Sequence, residues 1–288
     1  MKFAISNWIY GDEPLEVTFK RLQRYGYDGI EIRGEPSFYP ADEVKALCRK
    51  YGITVTSVAG MYEWPNPDRD LANPDPRVRH AAVDYLIGAV EWAAELSAPM
   101  VVVVPSAVSK TSPVGVGDSP EDWEQRKQHE WALAVESLQE VSKTAEREGI
   151  WLAIEPINRY ETFLVNNVEQ VLKMIGEINS STAKILLDTF HMNIEEVGPA
   201  EAVKKAGSKL VNVQIADSNR QAVGQGHTNF PRIIHALKEI NYQYALTLEP
   251  LPPLPNPYFA IRMPGLQGLR DEYAEVCITR LKEYIERD

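Results

Sequence analysis

The 288-residue sequence contains few cysteines, few basic residues relative to acidic ones, and no long hydrophobic run. Its two cysteines, Cys48 and Cys277, are far apart in the chain, and isolated thiols of this kind indicate a reducing compartment rather than a disulfide framework. No stretch approaches the roughly 20 apolar residues of a membrane span. The N-terminus lacks the apolar segment and cleavage site of a signal peptide. These absences predict a cytoplasmic protein with no membrane partner.

Basic residues are in deficit, because 30 Lys and Arg stand against 41 Asp and Glu and give a formal net charge of −11. A field of that sign repels phosphate backbones and anionic lipid. No cluster of Lys and Arg offsets it locally. We therefore expect no nucleic-acid partner.

What the chain does contain is a regular alternation, in which short Val, Ile and Leu runs are followed by longer amphipathic stretches. The predicted strands cover residues 3–7, 29–33, 54–58, 100–105, 151–155, 184–188, 211–216 and 245–249. The predicted helices lie near residues 14–25, 41–51, 76–96, 121–148, 167–178, 199–206, 230–240 and 268–287. Eight strand–helix units in series predict an α/β protein, a (β/α)8 TIM barrel in one domain spanning residues 1–288.

An open, doubly wound sheet fits this pattern less well, since no Gly-x-Gly-x-x-Gly follows the first strand. Three irregular segments, residues 63–76, 106–120 and 250–264, each follow a predicted strand. In a barrel they would all lie on the face that carries the catalytic loops. Long loops gathered on one face indicate a binding face.

Polar side chains end four consecutive predicted strands: Glu155, Asp188, Gln214 and Glu249. Their spacing is about one strand–helix unit, and the apolar residues that flank them suit the helix-facing side, so all four should point into the barrel. Converging carboxylates repel one another unless a cation compensates. An oxygen-rich set without cysteine suits a hard ion such as Mg²⁺ or Mn²⁺. The alternative is that these groups merely cap the barrel.

The residues around these positions form distinctive strings. Glu-Pro-Ile-Asn-Arg-Tyr-Glu begins at position 155, Leu-Asp-Thr-Phe-His-Met-Asn at 187, and Ala-Asp-Ser-Asn-Arg at 216. With them the sequence resembles the xylose isomerase-like TIM-barrel superfamily, and within it the ketose 3-epimerases of the D-tagatose 3-epimerase type. The likeness covers essentially the whole chain in element order, and its specific part is residues 155–249.

This resemblance implies a metal-dependent sugar isomerase or epimerase that moves a proton through an enediolate on an unphosphorylated ketose or keto-sugar, with C3 epimerisation favoured. It implies a divalent ion, Mn²⁺ or Mg²⁺ with Co²⁺ as a further candidate, bound by Glu155, Asp188, Gln214 and Glu249. Glu155 and Glu249 would also act as the acid/base pair. The substrate would be held by Glu161, His191 and Arg220. Relatives of this kind further suggest a homodimer or homotetramer.

One position departs from the ketose 3-epimerase pattern, because Gln214 stands where those enzymes have histidine. Hydroxypyruvate isomerase-like members carry glutamine there, so an aldose–ketose isomerase is one alternative. A lyase or decarboxylase acting on a keto-sugar acid is another, for which Arg220 and Arg262 could bind the substrate carboxylate. An apurinic endonuclease is disfavoured, since its His-rich zinc site does not suit a chain with five histidines.

Several other residues have both a functional and a structural interpretation. His227 could reach the site or belong to a loop. Four aromatic residues near strand ends could line a sugar pocket or fill the core: Trp8, Tyr10, Trp64 and Tyr258.

Overall fold

The computed structural model describes residues 1–60 and 66–287. Eight parallel strands pair in chain order and close into a barrel, with the last strand paired to the first. The strands are β1 (Lys2–Ser6), β2 (Gly29–Arg33), β3 (Thr54–Ala59), β4 (Met100–Val103), β5 (Trp151–Ile154), β6 (Ala183–Asp188), β7 (Leu210–Ile215) and β8 (Ala245–Leu248). The predicted (β/α)8 barrel is confirmed.

Helices lie between consecutive strands and after the last strand. They are α1 (Leu15–Tyr25), α2 (Ala41–Tyr51), α3 (Pro76–Glu95), α4 (Pro120–Glu148), α5 (Val168–Ile178), α6 (Thr189–Glu195), α7 (Pro199–Ala206), α8 (Phe230–Glu239), α9 (Pro257–Ala260) and α10 (Gln267–Arg287). Helices α1 and α2 end at Gly26 and Gly52, whose φ angles of 74° and 68° are readily adopted only by glycine. Sequence patterning did not predict α6 and α9, which are too short to show a helical period.

Side chains on the strands divide between two apolar layers. Ile154, Leu187 and Leu248 belong to the large core between strands and helices. A smaller cluster fills the barrel interior: Met100, Val102, Ala153, Leu186 and Val211. Ala153 and Leu186 lie two residues before Glu155 and Asp188, and side chains two apart on a strand share a face. The interior cluster is therefore the apolar floor of the site above it.

The loops that follow the strands converge at the end of the barrel where the strands terminate, as predicted. They include the predicted irregular segments, apart from residues 61–65, which lie outside the described part of the chain. None of the described helices is both long and apolar enough to cross a membrane.

Candidate active site

The four predicted strand-end residues come together at this end of the barrel. Glu155 follows β5, Asp188 ends β6, Gln214 lies in β7 and Glu249 follows β8. Each is buried, with at most 6% of its surface exposed. Glu155, Gln214 and Glu249 line one pocket, with a cavity volume of about 120 Å³.

The two carboxylate oxygens of Asp188 have different partners, one in the adjoining helix and one in the site. Oδ1 accepts a hydrogen bond of 2.8 Å from the backbone N–H of Phe190 and so caps the N-terminus of α6. Oδ2 pairs with the guanidinium of Arg220. The local turn from strand to helix therefore fixes which oxygen faces Arg220.

Arg220 bridges two of the acidic side chains. One of its terminal nitrogens pairs with Asp188, and the other donates to Glu249 Oε2 at 2.7 Å. Its guanidinium also lies 5.0 Å from the ring centre of Phe190, a cation–π contact. Arg220 was predicted to contact substrate, and in this structure it neutralises carboxylates of the predicted metal set.

The backbone of Arg220 is held in the left-handed region, with φ of 62°. Its N–H donates to the carbonyl of Asp217 at 2.8 Å, and its own carbonyl accepts from Leu251 at 2.7 Å. A non-glycine residue adopts this conformation at an energetic cost, so surrounding contacts must hold it there. The loop is shaped to aim this arginine inward.

His191, on α6, faces the same acidic residues. Its Nδ1 accepts a hydrogen bond of 3.3 Å from the backbone N–H of Asn158, which leaves Nε2 directed at Glu155 and Asp188. Nε2 lies 3.7 Å from Glu155 Oε1 and 3.6 Å from Asp188 Oδ2. Burial lowers the pKa of the imidazole below its usual range. His191 therefore completes a compact group whose ligand atoms lie within 4.8 Å of one another.

Burial raises the pKa of Glu155 well above its ordinary value, and repulsion from Asp188 and Glu249 raises it further. Burial likewise raises the pKa of Glu249, and the positive charge of Arg220 opposes this only partly. Both pKa shifts therefore arise first from burial and then from the neighbouring carboxylates. No described residue donates a hydrogen bond to the Glu155 carboxylate.

Aromatic residues form one wall of the pocket. Trp8 donates from Nε1 to Glu249 Oε1 at 2.6 Å and stacks on Tyr258, with ring centres 6.1 Å apart. The Tyr258 hydroxyl donates to Glu161 Oε1 at 2.8 Å, and the Asn158 amide donates to the same oxygen. Glu161 thus lines the pocket and is held from both sides, and its role in binding substrate stays a prediction.

Other candidates lie elsewhere. Tyr10 is buried outside this pocket and packs under the Arg21 guanidinium at 4.4 Å, so it belongs to the core. His227 hydrogen-bonds Ser218 at 2.9 Å and lines a different groove. Arg262 is exposed and does not line the pocket. Trp64 lies outside the described residues.

Asn158 was not singled out from the sequence, although its place within the first string was a usable signal.

The predicted ligand set fits a divalent cation on two structural grounds. Arg220 pairs with two of its three carboxylates, Asp188 and Glu249, and leaves Glu155 without an arginine partner among the described residues. The amide oxygen of Gln214 is buried and has no hydrogen-bond donor among the described residues, although buried oxygens are normally paired. Carboxylate and amide oxygens are the ligands that hard divalent ions prefer.

A family model described as xylose isomerase-like TIM barrel matches residues 19–268. The chain belongs to this family. A D-psicose 3-epimerase of Ruminiclostridium cellulolyticum is 29% identical over 269 residues, which cover 91% of this chain and 85% of the relative. A 3-dehydro-D-guloside 4-epimerase of Escherichia coli is 27% identical over 244 residues, which cover 84% of this chain and 89% of the relative.

Among solved structures, a D-allulose 3-epimerase from Methylomonas sp. in complex with D-allulose resembles this chain with a TM-score of 0.82. The two are 26% identical, and the match covers 99% of this chain and 97% of the other. The resemblance to ketose 3-epimerases that the strand-end strings indicate is confirmed.

Asp217 anchors the loop that carries Arg220. Its carboxylate accepts backbone hydrogen bonds from Ser218 at 2.7 Å, Gly224 at 2.7 Å and Thr228 at 3.0 Å. Burial raises the pKa of this carboxyl, but the hydrogen bonds that stabilise its ionised form outweigh burial and hold the pKa below its ordinary value. The ionised carboxylate therefore stabilises the fold when the pH is above the ordinary pKa of an aspartate. This contribution to stability is lost as the pH falls through the lowered pKa.

We expect Asp217→Asn to lower the free energy of unfolding by about 1–3 kcal/mol at neutral pH, because an amide N–H₂ would face a backbone N–H. The difference from wild type should shrink as the solution approaches about pH 3. Denaturant unfolding at both pH values measures it, with Asp68→Asn, at an exposed position, as the control. An equal deficit at both pH values would contradict this role of the ionised carboxylate.

Proposed function

We propose that this protein is a metal-dependent ketose 3-epimerase that inverts C3 of an unphosphorylated ketose by proton transfer through an enediolate. The observation that carries the proposal is the convergence of Glu155 and Glu249 in one pocket of a barrel whose relatives include named 3-epimerases. A proton on carbon next to a carbonyl is weakly acidic. Its removal therefore needs a positioned base and stabilisation of the negative oxygen that develops.

Glu155, Asp188, Gln214 and Glu249 would hold the divalent cation, and His191 lies close enough to Glu155 and Asp188 to support them through its Nε2–H. We favour Mn²⁺ or Mg²⁺, with Co²⁺ as a third candidate, because three of these side chains offer carboxylate oxygen and one offers amide oxygen. Such an ion supplies Lewis-acid polarisation of the substrate's carbonyl and neighbouring hydroxyl oxygens.

In this proposal one of Glu155 and Glu249 removes the C3 proton, and the other returns a proton from the opposite face of the sugar. Glu249 is held by Trp8 and Arg220, whereas Glu155 has no donor among the described residues. Arg220, His191 and Glu161 would hold the substrate's oxygens near the reacting carbons. Stacked Trp8 and Tyr258 would cover an apolar edge of the sugar.

The charge of the pocket favours a substrate without phosphate. Among the described residues that line it, Arg220 is the one basic side chain besides His191, and two carboxylates already engage it. A keto-acid substrate, and with it a lyase or decarboxylase activity, is less well supported, because Arg262 does not reach the pocket. An aldose–ketose isomerase uses the same proton-transfer groups and differs only in where the proton returns.

We further propose a cytoplasmic homodimer or homotetramer. Both thiols are free, as expected in a reducing compartment. Exposed apolar side chains on the loop and helix after β8 offer a candidate contact surface: Leu254, Phe259 and Met263.

The proposed reaction predicts solvent deuterium at C3. Metal-free protein reconstituted with Mn²⁺, Mg²⁺ or Co²⁺ should be incubated in D₂O with free ketohexoses, ketopentoses, 3-keto-glycosides and keto-sugar acids, and followed by NMR. We expect a C3-epimeric ketose labelled at C3, and no turnover by the metal-free protein. Deuterium at C1 would instead identify an isomerase, deuterium at C4 of a 3-keto-glycoside a 4-epimerase, and release of CO₂ a decarboxylase. Turnover by exhaustively chelated, metal-free protein would contradict metal dependence.

Glu155→Gln and Glu249→Gln should each lower turnover by roughly 10²–10⁴-fold, because each substitution removes a proton-transfer group. Glu161→Gln should cost less and act partly on KM. Steady-state kinetics at saturating metal measures all three, with Glu136→Gln, at an exposed position on α4, as the control. A near-normal rate in either of the first two variants would refute the two-base mechanism.

A further inference from the structure

A fourth acidic side chain lies inside the barrel, and the proton-transfer proposal does not use it. Glu31, in β2, is fully buried. Its Oε2 accepts hydrogen bonds from Ser57 Oγ at 2.7 Å and Asn212 Nδ2 at 3.1 Å, and its Oε1 accepts from Gln214 Nε2 at 3.0 Å. Glu31 does not line the pocket and lies behind Gln214 as seen from it.

The contact with Gln214 decides how that amide is oriented. A carboxylate only accepts hydrogen bonds, so the amide must present its NH₂ to Glu31. Nitrogen and oxygen share one carbon, and fixing the nitrogen therefore turns the oxygen away. That oxygen is buried, has no donor among the described residues, and belongs to a side chain that lines the pocket.

We propose that Glu31 is the positioning residue that keeps the Gln214 oxygen, rather than its NH₂, directed at the cation site. The inference rests on the proposed function of the pocket as a divalent-metal site. An amide NH₂ cannot ligate a cation, so a flipped Gln214 would remove one ligand and present a donor in its place. Groups that orient a metal ligand typically change metal affinity 10–100-fold when they are altered.

Replacing Glu31 by glutamine, the corresponding amide, tests this positioning role directly. In Glu31→Gln the single oxygen of the new side chain would be retained by its two donors, Ser57 and Asn212. Its NH₂ would then face Gln214 and donate to the oxygen of that amide, which reverses the amide in the pocket. The change alters shape very little, so its effect on metal binding reports orientation and charge rather than packing.

The experiment is a calorimetric titration of metal-free protein with Mn²⁺. We expect Glu31→Gln to weaken binding about 10–100-fold. Most of this loss should disappear when Gln214 is already replaced by alanine, because the orienting effect passes through that residue and only the effect of the lost charge remains. Glu130→Gln, which removes a different buried carboxylate on α4, is the matched control and should bind Mn²⁺ like wild type.

The outcomes separate this inference from the proposed function. Binding in Glu31→Gln equal to wild type, or an equal loss with and without Gln214, would overturn the positioning role alone. No binding of Mn²⁺ by wild type would overturn the metal site and this role together. Should Glu31→Gln fail to fold, wild type supplies the test by NMR. The Gln214 side-chain NH₂ should exchange slowly with solvent, and added Mg²⁺ should shift its carbonyl carbon; rapid exchange and an unshifted carbon would overturn the role.

Discussion

Acidic side chains packed together inside the barrel are the constraint on which the rest of this structure depends. Two like charges about 4 Å apart repel by about 4 kcal/mol at the effective dielectric constant of roughly 20 that describes protein sites. Glu155, Asp188 and Glu249 meet above the apolar floor, with Glu31 behind them. Arg220 neutralises part of this charge by pairing with Asp188 and Glu249, while no described arginine or lysine pairs with Glu155. A divalent cation would complete the balance.

The surrounding fold holds this cluster in place at a cost in local stability. Asp188 caps α6 with one oxygen and faces the site with the other. Arg220 is kept in a left-handed backbone conformation by a loop that Asp217 anchors. Glu249 is fixed by Trp8 from the first strand–helix connection. Strain and buried charge of this kind are typical of binding and catalytic sites, which must be ordered before the ligand arrives.

Much of the fold and part of the site could be predicted from the sequence. Eight regularly spaced apolar runs predicted the barrel, and strand alternation predicted that Glu155, Asp188, Gln214 and Glu249 would converge, because neighbouring strands end at the same face. The metal-binding and catalytic roles of these residues stay predictions. The short helix α6 was missed because seven residues show too little periodicity.

Contacts between distant residues could not be predicted in this way. Trp8 and Glu249 are separated by 241 positions and meet only because β1 and β8 close the barrel. Glu31 alternates with Ile30 and Ile32, but it lies in the middle of β2, so the strand-end pattern that singled out the other acidic residues does not include it. The double pairing of Arg220 depends on the conformation of one loop residue, which no spacing rule encodes.

Whether the converging acidic residues form a cation site can be determined from a crystal structure of the Mn²⁺-loaded protein with anomalous scattering recorded for manganese. We expect one anomalous peak within ligand distance of Glu155, Asp188, Gln214 and Glu249. We also expect Arg220 to give up its direct pairing with at least one of the carboxylates that it now bridges. A fully occupied Mn²⁺ elsewhere, with Arg220 still bridging Asp188 and Glu249, would show that these residues do not form the cation site.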